Sequence, residues 1–375
     1  MKSVYLAADN ISSPLGKSTK ANFEGVSQGL TSICSIQNDA ISPVSFYASL
    51  FEKSFWQQTE NEFTRFEKLC ITSITEALKQ TEISISSPDT LFILSTTKGN
   101  IELIEKTKVN REIADRVSLF KTAENLTLHF NSPNKPLVIS NACISGVLAV
   151  IIAKRLLQAG KYRHAVICGA DVLSRFVISG FQSLYAMSTK PCKPFDKSRD
   201  GINLGECAAT MILTTEKNYS KNILINAGAS TNDANHISGP SRTGLELSHA
   251  VQTAISDSSL TAKDLSFISA HGTATIYNDE MEAKAFSHAS LNEVPLHSLK
   301  GNFGHTLGAA GILESVLTCH SLLEGAVLPS RNFTESGVSQ TVNVNTSFIK
   351  SDKKHALKTA SGFGGCNAAI IYSIN

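Results

Sequence analysis

Apolar positions recur along this chain at two spacings. Val4–Ala8, Leu91–Ser95, Leu137–Ser140 and Ala165–Gly169 are short unbroken apolar runs of strand length. Thr64–Gln80 instead places Phe66, Leu69, Ile71, Ile74 and Leu78 at helical spacing, and Val147–Gln158 reads as an apolar helix ending at Gly160. Ser12-Ser13-Pro14-Leu15-Gly16 is a turn after the first strand. Strands alternating with helices predict an α/β protein with buried sheets. The stretch Met187–Asn203, with Pro191, Pro194 and many charges, predicts a surface excursion.

The pattern also repeats. Gly205-Glu206-Cys207 leads into an apolar strand, as does Gly365-Cys366-Asn367 at the chain end. Cys143 precedes a helix ending Leu156-Leu157-Gln158-Ala159-Gly160, and His305 precedes one ending Leu322-Leu323-Glu324-Gly325. Val4–Ala8 has a counterpart at Asn222–Ala227. The expected organisation is two similar halves, 1–217 with Cys143 and 218–375 with His271 and His305.

Composition narrows the function classes. With 42% hydrophobic and 18% charged residues over 375 positions, the chain can bury a large core and is not disordered. A net charge of +2 argues against a protein built to grip nucleic acid. No window approaches a membrane-spanning apolar run, and the apolar N-terminal run is cut by Asp9, so a cytoplasmic protein is expected. The 8 cysteines are scattered, without a C-x-x-C pair, which fits neither a disulfide scaffold nor a zinc cluster. No metal site is expected.

Four segments carry candidate chemistry. Cys143 lies between a strand and a helix, followed by Ser145 and Gly146; a thiol at a helix N-terminus is expected to favour thiolate. His271 opens the polar turn His271-Gly272-Thr273-Ala274-Thr275, whose hydroxyls suit the amides of an extended ligand. Lys300 and His305 share the Gly-rich turn Lys300–Gly311, and Lys300 is placed to orient a ligand or a carboxylate such as Glu314. Ser361-Gly362-Phe363-Gly364-Gly365 is a turn able to present backbone N–H groups to an oxyanion, with Phe363 as a gate. Taken singly, each has a plainer reading: a buried thiol, a loop histidine, a solvated lysine, a β-turn.

Taken in order, Cys143, His271, Lys300, His305 and Gly362–Gly365 resemble the elongating β-ketoacyl-acyl carrier protein synthases. Ser13-Pro14-Leu15-Gly16, Pro194-Phe195-Asp196, Arg199-Asp200-Gly201, Gly205-Glu206 and Asp279 with Glu282 extend the resemblance over nearly the whole chain. It implies a thiolase-like fold, two pseudo-duplicated halves in an αβαβα layered sandwich. It implies that Cys143 takes an acyl chain as a thioester, and that His271 and His305 bind the thioester carbonyl of malonyl-carrier protein and promote decarboxylation. The enolate then attacks acyl-Cys143, giving a β-ketoacyl product and CO₂. By the same resemblance, the backbone N–H groups of Cys143 and Phe363 form an oxyanion hole with Gly364 in the turn. Lys300 and Glu314 position the network, and Thr273 and Thr275 meet the phosphopantetheine arm. That arm belongs to the carrier protein, so no cofactor is expected.

Implied partners are an acidic acyl carrier protein, with Arg65 and Lys68 as docking cations, and a second subunit, either a copy of the chain or a chain-length factor. Phe303, Cys366 and Thr96-Thr97-Lys98-Gly99 depart from the family pattern and point to a specialised aryl polyene or polyketide system. Two rival readings are a non-catalytic chain-length factor, against which Cys143 and both histidines stand, and a thiolase, for which Cys366 speaks and the Lys300–His305 motif does not.

Overall fold

The computed structural model describes residues 2–57, 63–106, 108–234 and 239–375. Its centre is an 11-stranded sheet. In chain order the strands are β1 (Tyr5–Ser12), β2 (Thr90–Ser95), β3 (Leu137–Ile139), β4 (His164–Asp171), β5 (Cys207–Thr214), β6 (Ile223–Asn232), β7 (Leu265–Ser269), β8 (Pro295–His297), β9 (Asn343–Val344), β10 (His355–Gly362) and β11 (Cys366–Ile374). The longer helices that pack on them are α1 (Arg65–Leu78), α2 (Leu119–His129), α3 (Ser145–Gln158), α4 (Leu245–Asp257), α5 (Ile276–His288) and α6 (Ala310–Leu323). Each apolar run of the sequence is a strand here, and both periodic segments are helices.

The sheet reads the same way outward from its middle in both directions. One side runs β1-β5-β4-β2-β3 and the other β6-β11-β10-β7-β8, with β9 added at the edge. Pair directions match too. The two inner pairings are antiparallel and the two outer ones parallel on each side. The sides join where Tyr5 pairs with Leu224. Because β5 and β4 on one side, and β11 and β10 on the other, have every inner position buried, their sequences do not alternate between apolar and polar residues.

Helices close both faces of each half. α1 and α2 cover one face of the first half through Phe66, Leu69, Ile74, Ala123 and Leu126, and α4 and α5 cover the second. α3 and α6 lie between the halves and pack on each other and on strands of both. The result is the αβαβα sandwich of a thiolase-like fold. α1 begins where the sequence says it should. Thr64 caps it, accepting the Glu67 N–H, while the Glu67 carboxylate accepts the Thr64 N–H. No helix among the described residues is long and apolar enough to cross a membrane.

One expectation holds only in part. Met187–Asn203 exposes Thr189, Lys190, Pro191, Lys197, Ser198 and Asp200, but Ser188, Cys192, Phe195, Asp196, Arg199 and Asn203 are buried. Its two buried charges are taken up largely by backbone. The Asp196 carboxylate accepts N–H groups from Ser198, Thr334 and Glu335. Arg199 donates to the carbonyls of Asp196, Gly337 and Ile276. A charged segment can be buried when every charge has a partner.

Candidate active site

The nucleophile candidate sits on a sharp elbow. Between β3 and α3, Ala142 adopts φ 44°, and Ser145 pins the bend by accepting the Asn141 N–H at 2.8 Å and donating to the Ala142 carbonyl at 2.6 Å. The β10–β11 turn lies against this elbow. A Cβ on Gly362 would stand 2.9 Å from the Cys143 nitrogen, so only glycine allows the approach.

The histidines arrive from the other half. His271 follows β7, and α5 holds its loop. Glu282 accepts the N–H groups of His271 (2.8 Å) and Gly272 (2.6 Å), and Asp279 accepts that of Thr273 (2.9 Å). These carboxylates are three residues apart and so share a helix face. His305 precedes α6 and donates its backbone N–H to the Asn203 carbonyl at 2.7 Å.

The Cys143 sulfur and one ring nitrogen of each histidine all lie within 4.8 Å of one another. The imidazoles meet edge to face, centroids 5.2 Å apart. Burial, then the nearby lysine charges, hold both far below the usual histidine range, so both are neutral near pH 7. Their tautomers follow from their partners. His305 Nδ1 accepts the Leu307 N–H at 3.1 Å, and His271 Nδ1 faces the Lys300 ammonium at 3.3 Å. Each ring therefore carries its proton on Nε2. His305 Nε2 is buried without a protein partner among the described residues. Two N–H donors beside a sulfur suit a developing oxyanion better than a metal ion, which needs lone pairs at those nitrogens.

The thiol differs from expectation. The helix N-terminus does not make Cys143 a thiolate; burial pushes it up to about 12. The Lys300 charge and a hydrogen bond from the Phe363 N–H pull the other way, and Cys366 adds to the rise. Desolvation beats the dipole here because the sulfur is at the floor of an apolar cavity.

That cavity, of about 380 Å³, is lined by Cys143, His271, His305, Thr273, Thr275 and Phe363, with Phe181 and Tyr185 among its apolar walls. Phe363 stacks on Phe181 at 6.0 Å. The Thr273 and Thr275 hydroxyls are 2.9 Å apart. Gly364 (φ 87°) is in the turn but is not a lining residue, and Lys300 and Glu314 lie behind the wall rather than on it. Lys300 donates to Glu314 Oε1 (2.7 Å) and to the His271 carbonyl (2.6 Å). Burial alone would raise Glu314, but Lys300 and Lys358 more than offset it and hold it below the usual carboxylate range.

Arg65 is not a free docking cation. It is ion-paired with Glu206 and lies 3.6 Å from Glu102, with its guanidinium over Trp56. Two buried groups escape sequence reasoning altogether. Asp171, at the end of β4, accepts from the Thr97 and Gly308 N–H groups at 3.1 and 2.7 Å. Lys358, within β10, is fully buried beside Glu314. A lysine inside an apolar strand that ends at the Gly362 turn was the available signal.

This arrangement can be set beside known proteins. The chain is 26% identical over 99% of both chains to a putative mitochondrial 3-oxoacyl-[acyl-carrier-protein] synthase of Schizosaccharomyces pombe. It is 34% identical to 3-oxoacyl-[acyl-carrier-protein] synthase 2 of Mycobacterium leprae over 62% of this chain and 59% of that one. The fold matches a β-ketoacyl synthase from Burkholderia phymatum (TM-score 0.89, 23% identity, 100% of both chains). It also matches a chain of the complex between a ketosynthase and its chain length factor from Xenorhabdus doucetiae (TM-score 0.86, 23% identity, 100% of this chain and 98% of that one). The family models for the N-terminal and C-terminal domains of β-ketoacyl synthase match residues 40–218 and 223–334. These stretches span both halves of the sandwich and hold Cys143, His271, Lys300 and His305, and the chain therefore belongs to the β-ketoacyl synthase family.

Proposed function

We propose that the protein is a β-ketoacyl-acyl carrier protein synthase that joins an acyl group to a malonyl unit with loss of CO₂. One observation carries this reading: the half-buried Cys143 sulfur within 4.8 Å of nitrogens of two buried imidazoles, with both rings held neutral and protonated on Nε2. The Cys143 thiol attacks the thioester of an acyl-carrier protein, and its proton leaves with the carrier thiol. Malonyl-carrier protein then places its thioester oxygen against His271 and His305. The bond to the carboxyl group breaks, CO₂ departs, and the electron pair becomes an enolate that the two N–H groups stabilise. The enolate carbon attacks the acyl-Cys143 carbonyl. Its oxyanion rests on the N–H groups of Cys143 and Phe363, and collapse frees the sulfur, which takes up one proton. Thr273 and Thr275, at the cavity wall, meet the phosphopantetheine arm of the carrier protein.

Since the thiol stands at about 12, no standing thiolate serves as the nucleophile. Activation belongs to the transition state, where charge passes from sulfur to the oxyanion site. No cofactor takes part beyond the carrier's own arm. The acylated protein works as a dimer, with a copy of itself or with a chain-length-factor-like subunit. Phe303, Cys366 and Thr96-Thr97 speak for a polyene or polyketide pathway, which a panel of acyl-carrier substrates tests; exclusive use of saturated C8–C14 chains removes that part of the reading.

Intact-mass measurement after incubation with acyl-carrier protein gives the central test. The wild type gains one acyl group and Cys143→Ala none. His305→Ala keeps the acyl group and loses CO₂ release from malonyl-carrier protein by about 10²–10⁴-fold. Acylation of Cys143→Ala at the wild-type level sinks the proposal.

A further inference from the structure

β10 carries a lysine where strand neighbours are apolar: Ala356, Leu357, Lys358, Thr359 and Ala360 are all buried, Lys358 completely. An ammonium removed from water is costly unless oxygens replace its hydration shell. At Lys358 the replacement is full. Nζ donates to the carbonyls of Thr359 (2.6 Å), Ser269 (3.2 Å) and Ala270 (3.4 Å). It also lies 2.6 Å from Glu314 Oε2. The contact with the carboxylate is shorter than those with the Ser269 and Ala270 carbonyls, so Glu314 takes the ammonium charge directly.

The other oxygen of that carboxylate belongs to Lys300, at 2.7 Å. Lys300 spends its remaining contacts on His271, through the carbonyl at 2.6 Å and Nδ1 at 3.3 Å. Glu314 is thus held between two ammonium groups, one of which holds the imidazole. We propose that Lys358 is a positioning residue for the condensation: it pins Glu314 from the far side, so that Lys300 keeps an N–H for His271 Nδ1 and the imidazole proton stays on Nε2, toward the substrate oxygen. This rests on the reaction proposed above.

Electrostatics support the geometry. Among the described residues, Cys143 and the other ring lie beside each imidazole, Lys300 and Lys358 act on both by charge, Glu282 holds the His271 backbone N–H, and Glu314 pairs with the two lysines. Lys300, Lys358 and Glu314 together carry one net positive charge, which disfavours imidazolium. Without Lys358 the remaining Lys300–Glu314 pair is neutral, the Glu314 oxygen that Lys358 faced competes for Lys300, and both histidines protonate at higher pH.

Lys358→Gln removes the charge and keeps N–H donors for the carbonyls; Lys358→Ala leaves a space of propylammonium size. Acylation of Cys143 and condensation with malonyl-carrier protein are measured separately from pH 5 to 9. In Lys358→Gln, acylation stays within about twofold, condensation falls about 10- to 100-fold, and the acid limb of its pH profile moves up by about one unit. Propylammonium chloride restores condensation in Lys358→Ala, while choline chloride at equal concentration does not. An unmoved limb with wild-type condensation in Lys358→Gln overturns the proposal. So does an equal loss of both half-reactions without propylammonium rescue, or failure of both variants to fold. A wild type that takes up no acyl group sinks the functional reading instead, and shows it before any variant is made.

Discussion

The crossing of α3 and α6 offers a sharp test of how the fold sets the active-site distances. Gly146 is the second residue of α3 and Gly311 the second of α6, and their backbones touch. A Cβ on Gly146 would stand 2.6 Å from the Ile312 nitrogen and 2.8 Å from the Gly311 Cα. Ordinary contact is about 3.5–4.0 Å, so Gly146→Ala must open the crossing by roughly 1 Å. No rotamer change relieves the clash, because every opposing atom is backbone. Alanine should help a helix by about 0.5–1 kcal/mol. Overpacking costs about 1–3 kcal/mol and more against a rigid wall, so the clash wins.

Cys143 lies just ahead of one of these helices and His305 just ahead of the other. Opening the crossing moves sulfur and imidazole apart, and a misplacement of about 1 Å is worth roughly 10²-fold in rate. Gly146→Ala is therefore expected to melt a few degrees lower and to condense about 100-fold more slowly. Gly180, in the helix Arg175–Ser183, has nothing within 4 Å of an added Cβ and serves as the control. Gly180→Ala should be neutral or slightly stabilising. Melting by fluorescence and condensation by product mass read both. A Gly146→Ala protein with wild-type melting and turnover refutes the reasoning, since the crossing would then be soft.

Three further outcomes follow from buried groups. With its thiol at about 12, Cys143 should be alkylated by iodoacetamide at a rate that rises about tenfold per pH unit from 7 to 10, measured by peptide mass; a plateau below pH 9 contradicts the burial argument. His297 packs at a tilt against Phe267, neither ring nitrogen has a partner among the described residues, and burial lowers it to about 3. The unfolded chain binds a proton there below about pH 6.5 and the folded chain does not, so this residue makes stability fall with falling pH. His297→Leu should raise stability by about 1 kcal/mol at pH 7 and flatten the urea-measured slope below pH 6 by about 1.4 kcal/mol per unit, and an unchanged slope rules this out. Asp171→Ala strands the N–H groups of Thr97, Lys98 and Gly308. It should cost about 3–5 kcal/mol in urea unfolding, and a loss below 1 kcal/mol would show that water replaces the carboxylate.

The strands and helices were legible wherever apolar spacing was the deciding force. Their ends were not. β1 runs on through Asp9, Asn10 and Ser12, which are buried and paired, although their polarity ends the apolar run. Met187–Asn203 misleads in part for a related reason, because charge count cannot distinguish solvated charges from Asp196 and Arg199, whose partners include backbone groups more than 70 residues away. Cys143, His271 and His305 were legible as ordered motifs. Their protonation was not, because it depends on burial and on Leu307 and Lys300 behind each ring. Lys358 stayed hidden because a lone lysine in a strand normally marks the solvent face, and only the pairing of β10 with β7 brings the Ser269 carbonyl to it.

The repeated strand order explains why the site lies at the seam. Loops after equivalent strands and before equivalent helices meet there, at the carboxyl ends of the parallel strands. The loop before α3 delivers Cys143 and the loop before α6 delivers His305. The loop after β7 delivers His271, while its equivalent after β2 delivers Thr96, Thr97 and Lys98. The two halves then differ in the charge behind those loops. In the first, the Asp171 carboxylate gathers the Thr96 hydroxyl and the Thr97 and Lys98 N–H groups, and reaches across to the Gly308 N–H of the second. In the second, two lysines and Glu314 gather around His271. A carboxylate clamp needs only N–H and O–H donors and leaves the loop inert. An ammonium clamp needs lone pairs, and the imidazole Nδ1 is one of them. Duplication thus accounts for the shared frame, and the opposite sign of the buried charge accounts for why only one of the two equivalent loops carries an imidazole N–H beside the sulfur.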